Sequence, residues 1–308
     1  MTATPHQTRA ARVTALPLLP VGSSSGFFAG TSGSIRDIWA HRELLGLLVK
    51  REVRAKYKDS SLGLVWSLFR PIVQLLIYFL AIGQVLGLSR QVPDFAVFVF
   101  VGLTMWALFN EVVTSSTSSI VGNSGIVKKV YLPREIFPLS SVGTSLFNFL
   151  IQLVVLIAAV AFLSDFVWSL DILLAPLAVV TLVVFAFAIG LMLAAANVYL
   201  RDVQHLVELA LMVLFWASPI VYSFTFVHKA LGGNWLEQLY LANPVTTCII
   251  AMQKALWSAG TTAEGSFAQV WPEDLALRLG ITLAISLVLL WIAQRVFSRY
   301  QGNFAQEL

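Results

Sequence analysis

Six long apolar runs separated by short polar connections leave this chain few folds to adopt. A hydrocarbon layer about 30 Å thick takes roughly 20 residues of helix to cross, and it offers the backbone no hydrogen-bond partners. The runs are Phe69–Leu88, Phe95–Thr114, Leu139–Leu163, Asp171–Ala196, Leu206–Tyr222 and Leu277–Phe297, the fifth being the shortest. The expected fold class is an all-α membrane protein with six transmembrane helices. Composition agrees: 58% of the 308 residues are hydrophobic, 12% are charged, and the mean hydropathy is +0.81, outside the soluble globular range. The single cysteine, Cys248, excludes an internal disulfide or a cysteine-based metal cluster.

The stretch Ile35–Pro71 leads into the first run. On a helical wheel Ile35, Ile38, Trp39, Leu45, Val49, Val53 and Tyr57 share one side. Arg36, Glu43, Lys50, Arg51, Arg54 and Lys58 share the other, with Arg42 and Lys56 as exceptions on the apolar side. Such a basic amphipathic helix lies in a membrane interface with its charges toward anionic lipid. Nine of the twenty Lys and Arg residues precede Trp66, so the net charge of +4 belongs mostly to one end and reads as lipid contact, not as a nucleic-acid face. Residues 1–34 read as a mobile cytoplasmic tail, 35–60 as the amphipathic helix and 61–308 as the transmembrane domain. The run Leu16–Val21, broken by Pro17 and Pro20, is too short for a cleaved signal peptide.

Charge also orients the spans. With the N-terminus inside, inside segments hold fifteen Lys and Arg, and outside segments hold three, Arg90, Lys229 and Lys254. Both termini are therefore expected in the cytoplasm. Outside, Ser89–Asp94 and Ser164–Leu170 are tight turns and Ser223–Ala276 is long. Within the long one, Pro244–Trp257 is apolar but too short to cross; it reads as a re-entrant helix, or alternatively as a cap helix resting on the bundle. Gly83-x-x-x-Gly87 and Ala186-x-x-x-Gly190-x-x-x-Ala194 are small-residue faces for close helix packing. No internal repeat is visible, which disfavours a secondary transporter built on inverted repeats.

Chemistry has little to work with. There is no His-Glu-x-x-His and no Gly-Lys dipeptide, so a Walker A loop is excluded and any ATP would be bound by another polypeptide. Three features remain. The turn Gly125–Leu139, carrying Lys128, Lys129, Arg134 and Glu135 between Pro133 and Pro138, reads either as a docking helix or as a basic loop anchoring two spans. In the hairpin Asn197–Glu208, Asp202 is placed to cap the next helix and His205 and Glu208 share a face; Glu208 either serves a function in the membrane or bonds a neighbouring helix or Arg201. Aromatics number 21 Phe, 9 Trp and 7 Tyr. Trp66, Trp168 and Trp271 fit an interfacial belt. Tyr78, Phe79, Trp106, Phe109, Phe215 and Trp216 lie deeper, where rings either pack a core or offer sliding faces to sugar C–H groups.

Taken together, Arg51–Pro71, Val127–Ser140, Asn197–Tyr222 and Ala242–Trp257 resemble the permease subunits of ABC-2 exporters of lipid-linked polysaccharide. Those export O-antigen, teichoic acid or cell-wall galactan, and the sequence looks closest to the actinobacterial galactan type. The Tyr-x-x-Ser-x-Leu-Gly-x-x-Trp block, the Arg-Asp hairpin and the Ser-Pro-Ile end of the fifth run, in that order, carry the resemblance.

The resemblance implies a homodimer with two copies of a separate ATP-binding subunit that holds ATP and Mg, and no cofactor in this chain. It implies a coupling helix at Val127–Glu135, with Lys128, Lys129, Tyr131, Pro133, Arg134 and Glu135 as docking residues. It makes Ile35–Lys58 an interface helix beside lateral access for the lipid, and spans 1, 2 and 5 a conduit including Tyr78, Phe79, Trp106, Phe109, Glu208, Phe215 and Trp216. Short outer gate helices would carry Tyr222, Phe224, Phe226, Trp235 and Tyr240. Arg51, Arg54, Lys56, Lys58 and Arg70 then ring head-group depth, where Arg70 and Lys56 would receive a lipid diphosphate. Competing expectations are an ABC-2 exporter of a small amphiphile or drug, a membrane-embedded transferase acting on lipid-linked sugars, and a purely structural membrane protein. The scarcity of clustered carboxylates disfavours the transferase, and the basic docking turn is unexplained by a structural role.

Overall fold

Chain order in the computed structural model runs α1 (Ala29–Ala40), α2 (Arg42–Tyr57), α3 (Val65–Tyr78), α4 (Phe95–Gly122), α5 (Ser124–Val127), α6 (Ile136–Leu163) and α7 (Leu174–Tyr199). It continues with α8 (Val203–Trp216), α9 (Phe224–Leu231), α10 (Trp235–Leu241), α11 (Pro244–Leu256), α12 (Ser258–Thr262), α13 (Leu275–Tyr300) and α14 (Phe304–Glu307). The structure describes residues 29–58, 65–85, 87–130, 132–165, 167–232, 234–263, 265 and 268–308, and all secondary structure among them is helical.

Among the described residues, four helical segments are long and apolar enough to cross a membrane: Phe95–Gly122, Ile136–Leu163, Leu170–Tyr199 and Leu275–Glu307. The chain is thus an all-helical membrane protein. Two of the six expected runs form shorter apolar helices. In the first, α3 contains Pro71 and passes at Phe79 into a π-helical segment that ends at Val85. Gly87, expected in a packing face, instead adopts φ 76° with open space around its Cβ position, so its role is to turn the chain. In the fifth, α8 stops at Trp216, six residues before the expected end at Tyr222.

The helix α4 lies at the centre and packs against α6, α7, α8 and α11. Phe98, Val99, Phe100, Met105, Phe109 and Val112 are fully enclosed. Its contact with α7 uses a small-residue notch: a Cβ built on Gly190 would sit 2.6 Å from the Ser116 Cβ. A similar notch seats α2 on α6, where Val49 occupies the space beside Gly143.

Helix α11 is enclosed by α4, α7 and α13, and Thr246, Cys248, Ile249, Ile250 and Ala251 are fully buried. Asn243 accepts a hydrogen bond from the Val245 N–H at its start, and Pro244 occupies the first turn, where no helical N–H is lost. Helix α11 thus keeps no apolar face open along most of its length.

The amphipathic stretch also differs from expectation. It is two helices meeting at His41, and the first begins at Ala29, within the segment read as tail. Among the side chains that point outward, Ile35 and Trp39 are exposed and apolar. Glu52, absent from the wheel argument, turns inward.

Filling the Gly190 notch should be costly. Gly190→Ala forces α4 and α7 apart and should destabilise the protein by about 1–3 kcal/mol, read as earlier thermal unfolding in detergent. Gly280→Ala meets nothing within 4 Å and should leave the unfolding temperature unchanged or raised.

Candidate functional site

A cavity of about 300 Å³ opens between α3, α4 and α8, lined by Gln74, Tyr78, Trp106, Asn110, Thr114, Glu208, Leu211, Met212 and Phe215. Helical spacing places these groups. Trp106, Asn110 and Thr114 recur every four residues along α4, and Glu208, Leu211, Met212 and Phe215 do the equivalent on α8. Phe215 sits edge-on to Trp106 at 5.4 Å and faces Tyr78 at 6.1 Å, so the wall is a continuous aromatic surface from all three helices. Gln74, Asn110, Thr114 and Glu208 add hydrogen-bonding groups to it.

Four of the expected conduit residues therefore come together: Tyr78, Trp106, Glu208 and Phe215. The other three do not line the cavity. Phe109 points the other way, stacked on Phe185 at 6.0 Å in the core. Phe79 is half-buried at the start of the π segment, and Trp216 is exposed on the outer side of α8. Glu208 is exposed at the cavity margin with His205 at 3.8 Å. Its neighbour is thus its own helix, not Arg201. Asp202 occupies the N-cap position of α8 without a side-chain capping bond.

On α2, Arg51, Arg54, Lys56 and Lys58 are all exposed, and two of them have partners. Arg51 Nη2 donates to Asn123 Oδ1 at 2.7 Å. Lys56 Nζ lies 3.0 Å from Glu111 Oε1, which Asn148 Nδ2 also approaches closely. Glu52 accepts from the Ser140 and Thr144 hydroxyls at 3.1 and 3.0 Å. The Arg70 and Tyr131 side chains and residues 1–28 lie outside the described structure. The sequence reading missed Glu111, Glu52 and the amide and hydroxyl lining. The available signal was Glu111 itself, an acid within an apolar run, which by default faces protein or water.

Among the described residues of the turn between α4 and α6, helix is confined to Ser124–Val127, which meets the expected helix at 127–135 only at Val127. Lys128 and Lys129 are exposed. Arg134 lies over the Phe304 ring at 5.7 Å, while Glu135 is buried and accepts from Ser298 and Gln301 at 3.3 and 3.4 Å. The C-terminal segment thereby props the turn from within, and burial pushes the Glu135 carboxyl above its ordinary value despite these hydrogen bonds.

In the segment after α8, Tyr222 donates to the Trp216 carbonyl at 2.8 Å and Tyr240 donates to the Tyr222 hydroxyl at 3.4 Å. Phe224 is buried and stacks on Tyr240 at 6.4 Å; burial pushes the Tyr240 hydroxyl up. His228 and the buried Glu237 are 2.8 Å apart, tying α9 to α10. Phe226 is half-buried and Trp235 is exposed. Trp271, expected in an interfacial belt, packs on Trp257 at 6.0 Å, whereas Trp168 is exposed. Among the described residues no group of three or more His, Cys, Asp or Glu side chains is placed to hold a metal ion.

Residues 43–257 match the family model described as ABC-2 type transporter. The O-antigen export system permease protein of Myxococcus xanthus is 30% identical over 275 residues, which cover 89% of this chain and 98% of that protein. A permease of the same description from Klebsiella pneumoniae is 28% identical over 217 residues, 69% of this chain and 79% of its own. The polysialic acid transport protein of Escherichia coli is 24% identical over 251 residues, covering 79% and 90%.

The buried Glu135 gives a pH test. Its folded-state value is raised above 4.5, so the folded chain holds a proton the unfolded chain releases; that contribution to stability is complete below about pH 4.5 and is lost as pH rises through the folded value. Glu135→Gln keeps an acceptor for Ser298 and Gln301 and removes the titration. Between pH 5 and pH 8 the unfolding temperature of the variant should fall less than that of the unmodified protein.

Proposed function

Because the chain belongs to the ABC-2 type transporter family, we propose that it is the membrane permease subunit of an ATP-driven exporter that moves a lipid-linked polysaccharide, of O-antigen, teichoic acid or galactan type, from the cytoplasmic to the outer side of the plasma membrane. The observation that carries this reading is similarity to an O-antigen export permease along 98% of that protein's length. The cavity supports it. Aromatic faces bind sugar rings without fixing them, and the interspersed amides and hydroxyls exchange hydrogen bonds as a chain of similar units passes.

In this reading α3 with its π segment, fourteen and seven residues long, spans about 30 Å at 1.5 Å per residue. It and α8 complete six spans, both termini are cytoplasmic, and α11 enters the membrane from the outer side and returns. Two copies of the chain face each other, with α9 and α10 as outer gate helices. Two separate ATP-binding subunits, which carry ATP and Mg, dock on the turn bearing Lys128 and Lys129. Arg134 and Glu135 act through the shape of that turn rather than by contact, because both are turned toward the C-terminal segment. The exposed cations of α2 hold it to anionic lipid at the inner leaflet.

Depleting the protein should cause a lipid-linked glycan to accumulate on the cytoplasmic side, identifiable by mass spectrometry; a normal distribution of all such glycans would refute the reading. Replacing Trp106 by Ala removes the ring shared by α4 and α8 and should slow export of long glycan several-fold while the protein still inserts. Reversing Lys129 to Glu should weaken co-purification with the ATP-binding subunit, leaving insertion unchanged.

A further inference from the structure

The helix α2 is held to the bundle by contacts of different kinds. Val49 fills the notch at Gly143, Glu52 accepts from Ser140 and Thr144, and Arg51 donates to Asn123. These partners are neutral. The Lys56–Glu111 contact is different, since an ammonium and a carboxylate meet at 3.0 Å with side chains 47% and 26% exposed. Asn148 donates to the same carboxylate oxygen and holds it facing α2. Glu111 follows Asn110 and shares its helix with Thr114, both in the cavity wall. The ion pair thus joins the cationic α2 to α4, the helix that carries part of the cavity wall.

We propose that Glu111 is a built-in stand-in for the substrate's phosphate: it occupies Lys56 at rest and is displaced when a lipid diphosphate arrives, which unfastens α2 beside the cavity. This rests on the reading of α2 as the place where lipid diphosphate is received. A lysine ammonium is a compact point charge that exchanges one anionic oxygen for another without a strict geometry. A diphosphate carries more charge than a carboxylate and presents several anionic oxygens, so it outcompetes Glu111 for Lys56 and also reaches the exposed Arg54 on the same helix. Because the pair is partly exposed, its strength is modest, as a displaceable contact requires. Released Glu111 stays on α4, held by Asn148 of α6, while α2 keeps its neutral attachments and is not lost from the bundle. Glu111 and Asn148 act as positioning residues, setting how strongly Lys56 is pre-occupied.

The test is equilibrium binding of undecaprenyl diphosphate to the full-length protein in lipid nanodiscs. Glu111→Gln retains an acceptor for Asn148 and removes the competing charge, so the half-saturating concentration should fall about threefold or more. Lys56→Gln should raise it. The exchange K56E/E111K restores the ion pair in reverse and places a carboxylate on α2; it should fold and bind more weakly than the unmodified protein, which keeps the test readable where E111Q accumulates poorly. Unchanged or weakened binding by E111Q, with normal binding by the unmodified protein, overturns the stand-in role alone. No binding by the unmodified protein overturns the diphosphate reading of α2 and the proposal with it.

Discussion

A helix enclosed along most of its surface has little water to satisfy its polar groups, so the buried polar atoms of α4 must find partners within the protein. Thr104, Thr117 and Ser119 donate to carbonyls three or four residues back, at 2.7–2.8 Å. Asn197 of α7 donates to the Thr117 carbonyl at 3.0 Å, and Ser141 of α6 to that of Ser115 at 3.3 Å. The small Ser116 side chain lets Gly190 approach. The position of α4 therefore fixes how close α6 and α7 come, and the cavity lies on its remaining flank, where α3 and α8 cover it incompletely.

The same constraint explains which helices could be read from the sequence. Of the four long helices, α4 is the most enclosed and the least apolar, because polar side chains that face protein are satisfied there. A scan for apolar runs ends at Thr114, whereas the helix continues through Ser115, Ser116, Ser118 and Ser119 to Gly122. The outward-facing α6, α7 and α13 must be apolar to face lipid, and their extents agree with the expected runs to within a few residues. The first and fifth runs are shorter helices because hydropathy does not register a change of helical pitch at Phe79 or a stop at Trp216 before the Ser218-Pro219 turn.

The candidate site was legible where one helix supplies the pattern and illegible where two distant segments meet. Trp106 on α4 and Phe215 on α8 were readable as deep aromatics, and the structure sets them face to edge. Arg134 and Glu135 read as outward-facing docking charges because nothing near them in sequence shows the C-terminal segment. Phe304, Ser298 and Gln301, more than 160 positions away, turn both inward. Lys56 read as a free cation for the same reason, since its partner Glu111 lies 55 positions on and was passed over as part of an apolar run.

Differences in attachment also decide which parts can move. Helices α4, α7, α11 and α13 share an extensive apolar contact, and α11 is further pinned by Gln253 donating to the Pro219 carbonyl and Lys254 pairing with Asp171. Displacing any of them exposes or voids a close-packed interior. Helix α2 is joined to the bundle by Leu48, buried among Ile120, Ile136 and Phe137, by Val49 at Gly143 and by polar contacts nearer its C-terminal end, and α3 and α8 keep one apolar flank open beside the cavity. Local opening follows the elements with the least buried contact. Motion that changes the cavity therefore falls to α3 and α8, which line it against α4, while the partly exposed Lys56–Glu111 pair joins α2 to α4 at the edge of the core.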